Sequence, residues 1–229
     1  MTYEICGGSL PVVKIHMEAG EIIQCEKGAM SWMDDEIEMS TEGGGVGKMF
    51  GRLITGESAF MNKYVAKRAG EFAMASTFPG SIVAYELTPA ADIIIQKGSF
   101  LGMIGDIESE VYIQQKVSTG LFGGEGFLMR RYHGTGTIFL EIDGSAHNYV
   151  IPAGDTKIVD TGHVAAIYGA QGSNALEIRR VKGVKNVLFG GEGLFHTVVH
   201  GPCTVTLQSM PIAATAMRLY EYMPKSSSN

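Results

Sequence analysis

A repeated segment constrains this chain more than any other feature of its sequence. Residues 121–140 read LFGGEGFLMRRYHGTGTIFL, and residues 188–207 read LFGGEGLFHTVVHGPCTVTL. Ten of the twenty positions are identical at a constant offset of 67 residues, without a gap. Self-similarity at a fixed period is typical of proteins built from tandem supersecondary units. The sequence therefore indicates an internal duplication.

A looser third copy, MFGRLITGESAFMNKY, lies upstream at residues 49–64. Its Glu57 falls at the position that Glu125 and Glu192 occupy in the other two copies. We therefore predict one compact chain over residues 1–229 that consists of three tandem units. The predicted units span about 5–78, 79–147 and 148–222, and residues 223–229 are expected to form a disordered tail.

Alternating apolar and polar residues predict that the units consist of strands. Ile138, Leu140 and Ile142 fall on one face of an extended segment, while the residues between them fall on the other face. This period of two indicates a strand with one buried face. The β-branched run at 92–96 also favours a strand. No stretch of helical periodicity exceeds about three turns. The predicted fold class is all-β, of sandwich or β-helix type.

Two His-Gly pairs predict tight turns inside the repeated segment. His133-Gly134 and His200-Gly201 each lie between two strand-like stretches. Glycine supplies the positive φ that hairpin turns need, so we expect each pair to reverse the chain. Units of this size cannot bury a face alone, and their edge strands invite pairing with another chain. We therefore expect a closed oligomer, either a ring or a trimer.

Composition and charge argue against several classes of protein. The formal net charge of −6 disfavours nucleic-acid binding, because Lys and Arg make most contacts to phosphates. The widely spaced Cys6, Cys25 and Cys203 fit neither a zinc motif nor a disulfide framework, and they indicate free thiols in a reducing compartment. The chain starts without a signal-peptide pattern, and no apolar run approaches ~18 residues. We expect a cytoplasmic protein that is at most peripheral to a membrane.

Motifs that would indicate catalysis are absent from the sequence. The glycine-rich segment 43–51 resembles a phosphate loop, but Met49 follows Gly47-Lys48 where that motif needs Ser or Thr. His196 and His200 would lie roughly 13 Å apart along a strand, too far for one metal ion. No nucleophile motif of the GxSxG type occurs. The sequence predicts no catalytic residue, no cofactor and no metal site, and therefore no enzyme.

The Gly-Gly-Glu-Gly loops are the most distinctive candidate site, and two interpretations apply to their glutamates. Glu57, Glu125 and Glu192 either line a shared axis and bind a cation, or bond backbone N–H groups of wide turns. Catalytic sites are seldom triplicated, so the repetition favours the structural interpretation.

Large apolar residues flank these loops and form either an exposed rim for a partner or membrane surface, or a core between units. Burial is the preferred interpretation. The candidate interaction residues are Phe50, Leu53, Glu57, Phe122, Glu125, Phe127, Phe189, Glu192 and Phe195.

The same residues carry a resemblance to a known family. The FGGEG loops, the segment IIIQKGSFLG at 93–102 and the segment DTGHVAA at 160–166 are similar to a bacterial and archaeal family. That family is related to the mitochondrial biogenesis protein "altered inheritance of mitochondria 24", and the resemblance covers roughly residues 5–222. It implies a fold like that of the tryptophan RNA-binding attenuation protein (TRAP), a short double-stranded β-helix that forms rings. It also implies self-association as trimers, and it supplies no catalytic motif.

These observations predict a non-enzymatic, oligomeric β scaffold or interaction protein. Its expected partners are further copies of itself and either a protein or a membrane surface. The alternative is a ring-type protein that binds a small ligand or RNA. The acidic balance and the single tryptophan, Trp32, do not supply the basic and aromatic array that RNA binding needs, so nucleic acid is not an expected partner.

Overall fold

The computed structural model describes residues 1–40, 61–115, 127–170, 174–180, 195–220 and 222–223. This part of the chain consists almost entirely of strands, with one α-helix near its end, which confirms the all-β class. The strands are β1 (Thr2–Cys6), β2 (Val12–Met17), β3 (Ile22–Glu26), β4 (Met30–Met33), β5 (Ile37–Met39), β6 (Met61–Ala66), β7 (Gly70–Ala75), β8 (Gly80–Leu87), β9 (Ile93–Gln96), β10 (Phe100–Gln115), β11 (Phe127–Asp143), β12 (Ala146–Ile151), β13 (Thr156–Asp160), β14 (Val164–Tyr168), β15 (Leu176–Arg180), β16 (Phe195–His200) and β17 (Cys203–Gln208). The helix is α1 (Ile212–Tyr220), and 3₁₀ turns cover Lys97–Ser99 and Thr161–His163.

Three segments of the chain share one pattern of antiparallel pairing. In the middle segment, the second half of β11 pairs with β8 and with the first half of β10. The first half of β11 pairs with β9 and with the second half of β10. In the first segment, β2 and β4 pair with β7, while β3 and β5 pair with β6. In the third, β12 and β14 pair with β17, while β13 and β15 pair with β16. We call these segments unit 1 (β2–β7), unit 2 (β8–β11) and unit 3 (β12–β17).

Main-chain pairing also joins the units to one another. Strand β10 of unit 2 pairs with β3 of unit 1, and β14 of unit 3 pairs with β9 of unit 2. A single ten-stranded sheet therefore contains strands of all three units. The predicted unit boundaries, the double-stranded β-helix and the ring stay predictions, and the proposed tail beyond residue 223 lies outside the described residues.

The buried side chains form three clusters, each with members from neighbouring units. The unit 1 core is built around Phe72 and includes Phe139 of β11. The unit 2 core is built around Tyr132 and Leu140 and includes alanines of β14. The unit 3 core includes Phe127, from the start of β11. Strand β11 therefore contributes to all three clusters.

The middle strand β11 corrects one sequence prediction. Ile138, Leu140 and Ile142 are fully buried, but Phe139 and Glu141 on the opposite face are 0% and 6% exposed. The prediction of one buried face was wrong for this strand. Its second face is covered because neighbouring elements pack on both sides, which the local alternation does not reveal.

The hairpin predicted at His133-Gly134 was also wrong. Strand β11 continues through both residues and keeps its pairing with β10 on either side of them. Gly134 has a φ of 128°, and a Cβ atom there would lie 2.2 Å from the carbonyl oxygen of Asp106. The glycine is therefore needed because the backbones of β10 and β11 approach closely at this point. Before Gly134, β11 pairs with β9 on its other side, and after Gly134 it pairs with β8.

The second predicted hairpin, at His200-Gly201, is a junction between sheets. Strand β16 pairs with β13 and β15, whereas β17 pairs with β12 and β14. The two strands are not partners, so the prediction of a hairpin was wrong. A Cβ atom at Gly201 would lie 2.0 Å from the carbonyl oxygen of Pro152, which explains the glycine there by close packing.

Candidate functional site

The three glycine-rich loops occupy the same place in each unit. Residues 41–60 connect β5 to β6, residues 116–126 connect β10 to β11, and residues 181–194 connect β15 to β16. Seven of the predicted interaction residues lie in these connections, outside the described residues: Phe50, Leu53, Glu57, Phe122, Glu125, Phe189 and Glu192. The structure describes the other two, Phe127 and Phe195.

These two phenylalanines stand where the loops rejoin the sheets. Phe127 is 0% exposed and belongs to the unit 3 core, although it starts a strand of unit 2. Phe195 is half-buried and packs against the same cluster, and its carbonyl oxygen accepts a hydrogen bond of 2.8 Å from the Thr161 hydroxyl. Both residues therefore anchor the ends of the loops to the core.

A charged and aromatic group lies next to the same loop ends. The Arg131 guanidinium lies 4.8 Å from the ring centre of Tyr112, and its Nε atom lies 3.9 Å from a carboxylate oxygen of Asp92. The Tyr112 hydroxyl accepts a hydrogen bond of 3.0 Å from the Ala175 backbone N–H. The group therefore links β9, β10 and β11 of unit 2 to the start of β15 in unit 3.

A buried arginine lies one residue earlier in β11. Arg130 is 6% exposed, and its Nη2 atom donates to the Ser109 hydroxyl at 2.9 Å. Burial raises the pKa of the Tyr132 hydroxyl, and the positive charge of Arg130 partly opposes that shift. The tyrosine thus keeps its proton at neutral pH. These contacts satisfy buried polar groups and fix strand packing.

A pair of stacked tyrosines between units 2 and 3 was not predicted from the sequence. The rings of Tyr85 and Tyr168 lie with centres 5.3 Å apart, and the Tyr85 hydroxyl bonds that of Thr206. On the other face of β8, the Thr137 hydroxyl donates to the Glu86 carboxylate at 2.9 Å. Strand alternation marks Thr137 in the sequence, but it gives no indication of partners on other strands.

The thiols and histidines have separate surroundings. Burial raises the pKa of the Cys25 thiol to about 12 and also raises the pKa of Cys203, which disfavours the nucleophilic thiolate at both. The His163 Nδ1 atom lies 2.7 Å from the Gln208 carbonyl oxygen, and His133 lies 3.5 Å from Glu108. In the described part of the chain, no three His, Cys, Asp or Glu side chains converge as metal ligands would.

Comparison with known proteins places this arrangement in a family. The sequence pattern of a family described as mitochondrial biogenesis AIM24 matches residues 3–210, which contain all three units. The chain belongs to the AIM24 family.

Similar proteins occur in Streptococcus pyogenes. The chain is 29% identical over 228 residues to an uncharacterized protein of the serotype M6 strain, and the match covers 95% of this chain and 88% of that protein. It also resembles the X-ray crystal structure of protein SPYM3_0169 with a TM-score of 0.78 and 25% identity, over 97% of this chain and 99% of that chain. The fold shared with SPYM3_0169 therefore extends over nearly the whole chain.

The AIM24 match ends immediately before the one described helix. Helix α1 begins at Ile212, two residues after the matched range, and none of its residues is buried. The described chain contains no helix that is long and apolar enough to span a bilayer. Helix α1 therefore lies on the surface, beyond the residues that the family pattern matches.

Proposed function

We propose that this AIM24-family protein is a non-enzymatic β scaffold that binds further copies of itself and attaches to a membrane surface. The observation that carries the proposal is the way the units meet. Pairing of β3 with β10 and of β9 with β14 uses backbone groups, which repeat from unit to unit whatever the side chains are. A contact of this kind extends readily from units of one chain to units of another chain.

The polar groups buried in the sheets support a structural function over a catalytic one. Arg130 is bound by Ser109, and the Glu141 carboxylate accepts hydrogen bonds from Ser76 and Thr77. Each of these groups has hydrogen-bond partners within the fold. None of them combines a nucleophile, a base and an open approach, which a catalytic site needs.

Helix α1 supports the attachment to a membrane surface. Ile212, Met217, Leu219 and Tyr220 are between 51% and 70% exposed, and Arg218 lies among them. Apolar side chains beside a basic residue on a short surface helix suit the interface of an anionic bilayer, where the apolar part enters the headgroup boundary.

Two measurements test the proposal. Light scattering after size-exclusion chromatography should give a mass of more than one chain. The protein should co-sediment with vesicles that contain anionic lipid, less with neutral vesicles, and Leu219→Asp should weaken this binding. Val150→Asp provides a matched control, because Val150 is 79% exposed but lies on strand β12 and not on the helix. A monomer at every concentration contradicts the assembly, and a protein that stays in the supernatant contradicts the membrane attachment.

A further inference from the structure

In the described part of the chain, strands β4 and β13 each lack a neighbour that both of their counterparts have. Among the described strands, β4 pairs with β7 alone, and β13 pairs with β16 alone. The counterparts of β4 are the first half of β10 in unit 2 and β14 in unit 3. The counterparts of β13 are β3 in unit 1 and β9 in unit 2. The first half of β10 pairs with β3, and β14 pairs with β9. Within the described residues, unit 1 therefore presents an open β4 edge, and unit 3 presents an open β13 edge.

The exposure of Ile158 follows from the open β13 edge. Ile158 faces Val198, and Ile94 faces Arg131. Val198 and Arg131 correspond at the 67-residue offset of the repeat, so the two isoleucines occupy equivalent positions. Ile94, which lies beside β14 and in the unit 3 core, is 1% exposed, whereas Ile158 is 63% exposed. A strand added beside β13 would bury the Ile158 side chain, which is exposed to water in a single copy.

The two contacts inside the chain define how such a strand would align. Pairing of β10 with β3 puts Met103 opposite Gln24, and pairing of β14 with β9 puts Ile167 opposite Ile94. The equivalent residues at the open edges are Met33 and Ile158. The neighbouring pairs in the same alignment are Trp32 with Val159 and Asp34 with Lys157.

The backbone groups at these positions point in the required direction. The Gly201 N–H donates to the Asp155 carbonyl oxygen, so odd-numbered residues of β13 bond β16 and Ile158 points its N–H and C=O to the open edge. The Asp34 N–H donates to the Glu71 carbonyl oxygen on β7, so Met33, one residue earlier, points away from β7. Met33 and Ile158 are therefore suited to form a hydrogen-bonded antiparallel pair.

We infer that the β4 edge of one copy pairs with the β13 edge of a second copy, with Met33 opposite Ile158. This inference rests on the self-association proposed above and names its surface. One chain carries one edge of each kind, in two different sheets, so the second copy supplies the missing strand. The alignment places Asp34 opposite Lys157, so that residues of opposite charge are paired. The contact is head-to-tail, and it either closes into a ring or continues as a linear assembly.

A pair of proline variants tests the edge. Ile158→Pro removes an N–H that points to the open β13 edge while leaving the ladder to β16 in place. Val150→Pro is the matched control: Val150 is 79% exposed and points its N–H away from β17, because the Ser209 N–H donates to the Ser145 carbonyl oxygen. Light scattering should report a single chain for Ile158→Pro, and should report the wild-type mass for Val150→Pro. An Ile158→Pro variant that is folded and fully assembled would overturn the inference.

Cross-linking tests the alignment in a protein with an intact β13. Opposite Cα atoms in a hydrogen-bonded antiparallel pair lie about 5.5 Å apart, within the range of a disulfide. In a Cys6→Ser background, Met33→Cys mixed with Ile158→Cys should give a covalent dimer under mild oxidation. Met33→Cys mixed with Val150→Cys should remain monomeric on a non-reducing gel. If Met33→Cys and Ile158→Cys give no covalent dimer when mixed, the inference is overturned. It is also overturned if the disulfide forms only inside one chain of a Met33→Cys/Ile158→Cys double variant.

The native tryptophan gives a third measurement. Trp32 is the single tryptophan and is 44% exposed on β4, so a strand laid beside it should exclude water from its ring. Its emission should shift to the red on dilution of the wild type and be red-shifted at all concentrations in Ile158→Pro. If the wild type assembles but neither Ile158→Pro nor dilution changes the tryptophan emission, the inferred surface is wrong and the scaffold proposal stands. If the wild type is monomeric throughout, both proposals fail.

Discussion

Glu141 of β11 is buried, and its carboxylate accepts three hydrogen bonds. Its Oε2 atom accepts from the Thr77 N–H at 2.8 Å, from the Thr77 hydroxyl at 3.0 Å and from the Ser76 hydroxyl at 3.2 Å. Burial nevertheless raises the pKa of this carboxyl, because the loss of hydration outweighs these bonds. The folded state therefore favours the protonated acid, whose stabilisation is present at low pH and is lost as the pH rises through the folded-state pKa.

We predict that Glu141→Gln stabilises the protein relative to the wild type by an amount that grows as the pH rises from acidic to neutral. The amide keeps an acceptor for Thr77 and removes the charge that burial disfavours. Urea unfolding at a series of pH values measures the difference. Glu110→Gln, which removes an exposed carboxylate from β10, is the matched control. A Glu141→Gln effect that is constant with pH would contradict the prediction.

At the scale of elements, the close approach between β10 and β11 depends on glycine. Gly134 combines a φ of 128° with a Cβ position 2.2 Å from the Asp106 carbonyl oxygen. We predict that Gly134→Ala lowers the free energy of unfolding by about 1–3 kcal/mol, the cost of a strained backbone, with a further loss from the clash. Gly98→Ala is the control, because a Cβ at Gly98 would meet no atom within 4 Å. Equal stability of the two variants in urea would show that the ladder relaxes around Gly134.

The same ladder shows what sequence patterns predict and what they miss. The β-branched run at 93–95 is the buried strand it predicted, because side-chain shape and burial act locally. Gly134 indicates a positive φ correctly, but a positive φ fits a distorted ladder as well as a chain reversal. Phe127 could be named as a loop-flanking residue from the repeat. Its burial in the core of the next unit depends on contacts between distant strands, which no local pattern contains.

The open edges of β4 and β13 also depend on pairing between distant strands, which no local sequence pattern contains. Ile158 and Ile94 look alike in sequence, as apolar residues of two short strands, yet one is 63% exposed and the other 1%. Their difference accompanies the pairing of the strands, because β9 lies beside β14 of the next unit, whereas β13 pairs with β16 alone among the described strands. It therefore appears only when the pairing of whole units is compared.

At the scale of the whole molecule, the shared strand β11 makes the three units interdependent. Its Phe127 lies in the unit 3 core, its Leu140 in the unit 2 core and its Phe139 in the unit 1 core. Unfolding of any unit removes side chains from the core of its neighbour. The chain should therefore unfold in one cooperative step, as domains without separable cores do.

We predict that Phe127→Ala lowers the free energy of unfolding by about 3–5 kcal/mol, as for other buried aromatic side chains. The truncation lies in the unit 3 core, whereas Trp32 lies on β4 of unit 1. Because the units unfold together, tryptophan fluorescence and far-ultraviolet circular dichroism should give coincident urea transitions, and both midpoints should fall by the same amount. Ile158→Pro serves as the background, since it removes the inferred contact between copies. If the fluorescence midpoint stays at its wild-type position while the dichroism midpoint falls, unit 1 unfolds on its own and the shared strand does not couple the cores.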